Sequence, residues 1–155
     1  MSMEKDSKII ETYSAQETWE AGRSLGQTAA SGQVIALVGD LGTGKTVFSQ
    51  GFAAGLQIDD QVNSPTFTIL QVYEDGRLPL YHFDVYRIGD SEEMLEVGWD
   101  EYVSGDGVCL VEWADLIEDL IDELPPGTVT GVKIEKDLSR GLDFRRITIV
   151  QPENN

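Results

Sequence analysis

The chain has little cysteine, histidine or positive charge. Its one cysteine, Cys109, excludes an internal disulfide, and one histidine without cysteine pairs excludes the common zinc motifs. The 155 residues carry 11 lysines and arginines against 28 aspartates and glutamates, a net charge of -17. Because affinity for nucleic acids depends largely on basic side chains, this balance argues against nucleic-acid binding by the chain alone. Cys109 is predicted to be a small buried hydrophobic side chain.

Long apolar runs are missing as well. Residues 1–13 lack the continuous apolar stretch of a signal peptide, and no window approaches the roughly 18 to 20 apolar residues of a membrane span. We therefore expect a soluble, cytoplasmic protein that does not contact membranes. The length suits one domain, predicted over residues 1–155, and an apolar fraction of 41% suits a folded core.

Strand and helix patterns alternate along the chain. Val34 to Val38 form a continuous apolar run typical of a strand buried on both faces, and Ser14 with Glu17 predicts a capped helix start. Further strands are predicted at residues 8–13, 66–73, 78–86, 108–111, 129–136 and 144–150, and further helices at 45–56, around 91–95 and at 115–124. Two of these strand pairs read as hairpins, so we predict an α/β fold with a mixed, partly parallel sheet.

A glycine-rich loop follows the strand that ends at Val38. Residues 39–46, GDLGTGKT, fit the pattern G-x-x-x-x-G-K-[ST] at every position and lie between a strand and a helix. Backbone amides of such a loop surround phosphate oxygens, Lys45 supplies a positive charge for the β- and γ-phosphates, and the Thr46 hydroxyl can bind Mg²⁺. We therefore predict a three-layer fold like that of P-loop NTPases.

Two carboxylates end predicted strands and are candidates for the chemistry. Glu112 closes the more apolar strand, so we assign it to the magnesium ion; Asp84 is then the candidate that orients or deprotonates the attacking water. Thr66, after Pro65, could approach the γ-phosphate as a switch hydroxyl does. Arg87 is open to two interpretations: a charge that stabilises phosphoryl transfer, or an ion pair with the acidic segment 90–123. That segment holds thirteen carboxylates and no lysine or arginine, and is a hypothetical partner-binding surface.

Four motifs in one order resemble a known family. GDLGTGKT at 39–46, SPTF at 64–67, HFDVYR at 82–87 and LVEW at 110–113 are similar to those of the TsaE (YjeE) family of small bacterial P-loop ATPases, over residues 9 to 150. The resemblance implies a Mg²⁺-dependent ATPase, slow alone and stimulated in complex. It also implies action with the TsaB and TsaD proteins in making threonylcarbamoyladenosine (t6A) in tRNA.

The resemblance also implies roles for matching positions. Asp84 would be needed for hydrolysis, together with Lys45 and Thr66, and Thr46 and Glu112 would hold magnesium. A C-terminal basic residue is expected near the nucleotide; Arg140 is preferred, and Arg145 fits nearly as well. The remaining nucleotide-binding positions are Ser14, Ala15, Thr18, Asp40, Leu41, Gly42, Thr43, Gly44, Lys45, Thr46 and Trp113.

Three other functions are alternatives to an ATPase of this family. A small-molecule or nucleoside kinase normally needs several arginines around a second substrate, and the middle of this chain has few. A GTPase normally carries [NT]-K-x-D and D-x-x-G segments, and neither string occurs here. A nucleotide-dependent binding module with incidental hydrolysis stays open, because the resemblance itself implies a protein that acts inside a complex.

Overall fold

A mixed sheet forms the middle layer of the protein. The computed structural model describes residues 5–39, 43–59 and 69–152. Within these ranges seven strands lie in the order β1-β7-β6-β2-β5-β4-β3. The central neighbours β6, β2, β5 and β4 run parallel, whereas β1, β7 and β3 pair antiparallel with their neighbours. The strands are β1 (Lys5–Thr12), β2 (Val34–Val38), β3 (Leu70–Tyr73), β4 (Leu80–Asp84), β5 (Val108–Glu112), β6 (Val129–Lys136) and β7 (Arg145–Pro152).

Helices cover the two faces of the sheet. On one face pack α1 (Ala15–Thr28) and α2 (Lys45–Gly55), and on the other pack α3 (Glu93–Glu96), α4 (Trp99–Val103) and α5 (Glu118–Asp122). Short 3-10 turns cover Ala114–Ile117 and Leu138–Arg140. The result is the predicted three-layer α/β architecture with a mixed sheet. In the described ranges, no helix has the length and apolar character that crossing a membrane requires.

Successive side chains of the central strands point to opposite faces of the sheet, so the core has two parts. In β2, Ile35 and Leu37 pack under α1 and α2, while Val34 packs on the opposite face. Every residue of β5 is buried, as predicted for a strand covered on both faces. Cys109 is 1% exposed and lies in the second core, and this burial raises the pKa of its thiol to about 12. The prediction that Cys109 is a small buried side chain is therefore confirmed.

Most predicted elements appear with small changes in their bounds. The hairpin of β3 and β4 is antiparallel, as the turn at residues 74–77 predicts. Ser14 caps α1 by accepting a hydrogen bond from the Glu17 amide at 3.1 Å. The helix α4 has no counterpart among the predicted elements. The predicted strand 66–73 is described only from residue 69 onward, and its start lies outside the described residues.

The two long helices meet through glycines. Gly22 and Gly26 on α1 face Gly51 and Gly55 on α2, and a Cβ at any of the four would lie 2.0 to 2.3 Å from a carbonyl oxygen of the other helix. A contact that short leaves no room for a side chain, so the two backbones approach as closely as helices can. Because α2 begins at Lys45, this packing also sets the position of the glycine-rich loop relative to α1.

Candidate functional site

Three neighbouring strands end at one edge of the sheet, beside the glycine-rich loop. The chain leaves β2 after Val38 and enters this loop, and the register pairs Leu37 with Glu112 of β5. Glu112 in turn pairs with Asp84 of β4. The two predicted carboxylates therefore lie side by side at the carboxyl ends of parallel strands, where ligand sites of α/β proteins form.

Glycines shape the described part of the loop. Gly44 has a φ of 95°, a left-handed conformation that glycine adopts without strain, and it precedes α2 without a side-chain cap. At Gly39 a Cβ would lie 2.8 Å from the Ile134 carbonyl oxygen and 2.9 Å from the Thr43 hydroxyl, so only glycine fits. An uncapped helix start directs backbone amides towards a ligand. The predicted positions Asp40, Leu41 and Gly42 lie outside the described residues.

Lys45 is held by the loop itself. It is the first residue of α2 and is only 6% exposed. Its ammonium group donates a hydrogen bond to the Gly39 carbonyl and lies 4.1 Å from the centre of the Trp113 ring. The hydrogen bond and the cation–π contact both stabilise the charge in its buried position. Since the side chain is a flexible stem, its charge can turn towards an anion in the loop without moving the helix.

Trp113 adopts a backbone conformation that is unusual for its type. It directly follows β5 and has a φ of 63°, a region that bulky side chains rarely adopt. In this conformation the indole lies over the Lys45 ammonium. The indole also contacts the Tyr86 ring, at 4.6 Å between ring centres. Strained residues of this kind cluster at functional sites. The resemblance implied that Trp113 lies beside the nucleotide, and the structure brings it to the predicted phosphate-binding lysine.

Glu112 is buried beneath the strand ends with His82 as its neighbour. The two side chains are 2% and 0% exposed, and the distance from His82 Nε2 to Glu112 Oε2 is 2.5 Å. Ser49 of α2 donates to the same carboxylate oxygen at 3.5 Å. A continuous strand over residues 78–86, as predicted, would place His82, Asp84 and Tyr86 on one face. The structure instead directs His82 to Glu112, and Tyr86 lies beyond β4, on Trp113.

Asp84 occupies a half-buried position at the end of β4. Its carboxylate accepts a hydrogen bond from the Tyr86 amide at 3.1 Å. Burial raises the pKa of this carboxyl group above its ordinary value, the Tyr86 hydrogen bond lowers it, and the Glu112 charge raises it further. A carboxylate with a raised pKa is a better proton acceptor than an exposed one. Arg87, which follows Tyr86, is exposed.

The C-terminal hairpin brings Arg145, not Arg140, to the loop. Arg145 is the first residue of β7, and its Nε donates to the Thr43 carbonyl at 2.8 Å. Arg140 contacts Glu11 and the Tyr13 hydroxyl instead, at 3.3 and 2.7 Å. The preference for Arg140 followed from an ambiguous match of the segment SRGLDFRR. The strand register removes that ambiguity, because it pairs Arg145 with Thr12, at the end of β1.

The start of α1 lies against the same loop. Thr18 is 2% exposed and shares a hydrogen bond with the Thr12 hydroxyl at 2.8 Å. Its methyl group lies 3.7 Å from the point where a Cβ on Gly44 would sit. Ala15 lines a shallow cavity of about 260 Å³ together with Trp19 and Val47. The structure thus brings Thr18 next to the loop, while Ser14 has its side chain occupied by the helix cap.

A larger cavity opens on the other side of the loop. Its volume is about 730 Å³, and Gly39, Thr43 and Trp113 line it on the loop side. The opposite wall comes from the end of β6 and from Asp115. The lining includes charged side chains such as Lys133 and Glu135, and the cavity lies beside the strand ends, where ligand sites of α/β proteins form.

The oxygen donors at the carboxyl ends of the strands suit magnesium better than zinc. Thr46 is exposed at the start of α2, and Glu112 supplies carboxylate oxygens, so the predicted ligands are all hard oxygen donors. Among the residues that the structure describes, no three His, Cys, Asp or Glu side chains gather as a metal cage. Magnesium fits this pattern, because it usually takes one or two protein oxygens and completes its shell with phosphate and water.

Strand order, loop and strand-end carboxylates together define an α/β protein of the P-loop NTPase type. The family model described as "Threonylcarbamoyl adenosine biosynthesis protein TsaE" matches residues 12–143. The chain therefore belongs to the TsaE family, as its four motifs indicated. The name of that family places the chain in threonylcarbamoyladenosine biosynthesis, a tRNA modification.

Individual relatives and a solved structure agree with this assignment. A Bacillus subtilis protein named "tRNA threonylcarbamoyladenosine biosynthesis protein TsaE" is 53% identical over 112 residues, which are 72% of this chain and 70% of the relative. A Treponema pallidum protein of the same name is 47% identical over 117 residues, 76% of this chain and 84% of the relative. The crystal structure of Bacillus subtilis YdiB superposes with a TM-score of 0.79 at 40% identity and covers 99% of this chain and 90% of that one.

Proposed function

We propose that the chain binds ATP with Mg²⁺ at residues 39–46 and hydrolyses it, as the ATP-consuming component of threonylcarbamoyladenosine biosynthesis. The observation that carries this proposal is the position of Lys45. Its ammonium is buried at an uncapped helix start between a loop carbonyl and Trp113, next to the strand ends that carry Glu112 and Asp84. At this position the lysine charge is close enough to the loop to contact a phosphate held there.

Lys45 and the loop amides are assigned to the phosphates. When a triphosphate enters, the ammonium exchanges the Gly39 carbonyl for β- and γ-phosphate oxygens, which are stronger acceptors because they carry full charge. The amides at the start of α2 add hydrogen bonds and the favourable end of the helix dipole. Arg145 supports the loop from outside by holding the Thr43 carbonyl.

Thr46 and Glu112 are assigned to the magnesium ion. Thr46 would bind through its hydroxyl and Glu112 through its carboxylate, directly or through water. When bound there, magnesium would neutralise part of the phosphate charge. What the chain itself contributes is a carboxylate that His82 and Ser49 hold in one orientation before any ligand arrives.

Asp84 is assigned to the attacking water. It pairs with Glu112 across neighbouring strands, it is half-buried, and its raised pKa favours the acceptance of a proton. Its oxygen stays anchored by the Tyr86 amide, so its direction is set by the end of β4. Thr66, predicted as a switch hydroxyl, lies outside the described residues and keeps that role as a prediction.

The nucleoside is assigned to the side of α1. Ser14, Ala15 and Thr18 begin that helix, and Thr18 lies against Gly44. The shallow cavity at Ala15 and Trp19 offers an apolar wall for a base. Trp113 is assigned to the phosphate end, since it already contacts Lys45. ATP is proposed over GTP because the chain lacks the segments with which GTPases normally read guanine.

TsaB and TsaD are the proposed partners. The net charge of -17 makes tRNA binding by this chain alone unfavourable, so the RNA would be held by other subunits while this chain supplies ATP turnover. We expect slow hydrolysis by the chain alone and faster hydrolysis in the complex.

Lys45→Ala tests the proposal directly. Removing the ammonium removes charge-assisted hydrogen bonds to phosphate, so ATP affinity should fall at least tenfold and turnover should be lost. Binding is measured by calorimetry with a non-hydrolysable ATP analogue, and turnover by phosphate release. Lys8→Ala, at an exposed lysine of β1, is the matched control. Unchanged ATP binding in the Lys45 variant, or equal affinity for ATP and GTP, contradicts the proposal.

A second measurement separates the competing functions. Phosphate release is followed for the chain alone and with TsaB and TsaD. A kinase would consume ATP only when an acceptor molecule is added and would release little free phosphate. A binding module would join the partners in the presence of ATP without any rise in turnover. Stimulated phosphate release in the complex is the result that we expect.

A further inference from the structure

The most deeply buried polar side chain in the described core is the chain's one histidine. His82 is 0% exposed and lies on the face of β4 that packs under α1 and α2. The register pairs His82 with Leu110, so Glu112 is its diagonal neighbour two residues further along β5. Diagonal neighbours on one face of a sheet are within reach of long side chains. This geometry explains the distance of 2.5 Å between Nε2 and the carboxylate.

A third side chain comes from the helix that begins at the loop. Ser49 lies four residues after Lys45 on α2 and donates to Glu112 at 3.5 Å. Both His82 and Ser49 contact the same oxygen, Oε2. Glu112 is thus tied through Oε2 to two different elements, β4 and α2.

We propose that His82 is a positioning residue for magnesium, which donates from Nε2 to Glu112 and holds its carboxylate in one orientation. The inference rests on the proposed function, because it assigns a purpose to Glu112. An ionised carboxylate can only accept, so His82 must carry a proton on Nε2. Its other nitrogen, Nδ1, is buried and has no hydrogen-bond partner among the described residues.

The burial of an unpaired nitrogen favours a functional explanation. A polar atom buried without a partner costs free energy, and an apolar side chain at this position would avoid that cost. A purely structural link between β4 and β5 does not need it, because the backbone ladder already joins these strands. Outer partners of this kind orient metal ligands, and their loss typically lowers metal affinity about 10- to 100-fold.

The test compares two substitutions of similar size at one position. His82→Gln keeps an N–H donor that can reach Glu112, whereas His82→Met has none. Binding of a fluorescent ATP analogue is titrated with Mg²⁺, and its affinity is also measured in EDTA. We expect His82→Met to need at least about tenfold more Mg²⁺ than wild type for the same binding, with unchanged affinity for the analogue in EDTA. The Mg²⁺ requirement of His82→Gln should stay within about threefold of the wild-type requirement.

Controls separate positioning from loss of stability. Phe83→Leu changes the next residue of β4, which packs on the opposite face against Trp99. If it lowers Tm as much as His82→Met but leaves the Mg²⁺ requirement unchanged, the effect at His82 is specific. Glu112→Gln provides the reference, and adding His82→Met to it should change the requirement no further, since His82 acts through Glu112.

A spectroscopic readout tests the geometry without metal or nucleotide. With one histidine in the chain, ¹⁵N-histidine labelling gives a single imidazole. We expect Nε2 to show the shift of a protonated nitrogen and Nδ1 that of an unprotonated one. Protonated Nδ1 with bare Nε2, or an unchanged Mg²⁺ requirement in a folded Met variant, overturns the inference. If wild type itself shows no Mg²⁺-dependent nucleotide binding, the proposed function fails first.

Discussion

At the scale of single residues, Asp84 combines charge with burial. Because its pKa is raised in the folded protein, the folded state binds this proton more tightly than the unfolded chain does. The ionised carboxylate therefore costs stability once the pH rises above the unfolded value of 3.8, and the full cost is present above the folded pKa. The raised pKa supports the role in the reaction that we propose for Asp84.

Asp84→Asn should raise stability and abolish turnover together. The amide oxygen can still accept from Tyr86, but no charge remains to be buried. We expect a higher Tm at pH 7, a gain that shrinks as the pH falls towards 3.8, retained ATP binding and turnover reduced by about 10²-fold or more. Asp106→Asn, at an exposed position, controls for the change in net charge. A gain in Tm that does not depend on pH, or retained turnover, contradicts this assignment.

Two substitutions compare the contributions of Arg145 and Arg140 to ATP affinity. Arg145→Met removes the donor to the Thr43 carbonyl and releases one side of the loop. We expect ATP affinity to fall about tenfold or more, because hydrogen bonds from a charged donor are worth roughly 1.5–3 kcal/mol. Arg140→Met should stay within about twofold, since its partners are Glu11 and Tyr13. Calorimetry with an ATP analogue measures both, and the reverse order would restore Arg140 to the site.

Residues at strand ends could be predicted, whereas diagonal contacts could not. Glu112 and Asp84 end apolar runs, and parallel strands bring their ends together whatever the exact register. His82 meets Glu112 only through a particular register between β4 and β5, and nothing local in the sequence encodes that register. Arg145 depends in the same way on its pairing with Thr12. Ser49 had a local signal, because it shares a helix face with Lys45 four residues earlier.

At the scale of elements, α1 and α2 depend on glycine. Alanine would suit a helix better than glycine by about 1 kcal/mol, yet a Cβ on Gly26 would lie 2.2 Å from the Phe52 carbonyl oxygen. Backbone cannot yield at that distance without separating the helices. The glycines repeat with a spacing of four residues in both helices, and this spacing is a sequence signal of close helix packing.

Gly26→Ala should therefore destabilise the protein despite its better helix propensity. Overpacking of this kind costs about 1–3 kcal/mol, and we expect a clear fall in Tm. Gly131→Ala is the matched control, because a Cβ at that position on β6 meets no atom within 4 Å. Thermal unfolding by circular dichroism measures both variants. Equal Tm values for the two would show that the helices can separate freely.

The elements themselves were largely predictable from periodicity. Buried strands such as β2 and β5 are continuous apolar runs, and α1 carries a capping signal. The helix α4 was missed because five residues are too short for a helical period to emerge. Its Trp99 is nevertheless 2% exposed, so tertiary packing against Phe83 holds this short helix in place. Strand order was not predictable, since it depends on contacts between distant segments.

At the scale of the whole molecule, charge limits what the chain can bind unaided. A net charge of -17 opposes the approach of tRNA at every orientation except near local basic groups. We expect no saturable binding of labelled tRNA to the chain alone at physiological salt, measured by fluorescence anisotropy. Binding should appear when TsaB and TsaD are added. Saturable binding to the chain alone, weakening steeply with salt, contradicts this expectation.

The pairing of β1 with β7 has a consequence for synthesis on the ribosome. Among the described strands, β1 lies at the edge of the sheet and pairs with β7. The ribosome synthesises β1 first, but β1 cannot pair until β7 has been synthesised. Arg145 arrives with that same strand and secures the loop through Thr43. A nascent chain that stops before β7 therefore lacks both the closed edge and the support of the loop. The proposed nucleotide site is therefore not supported in this way until β7 has been synthesised.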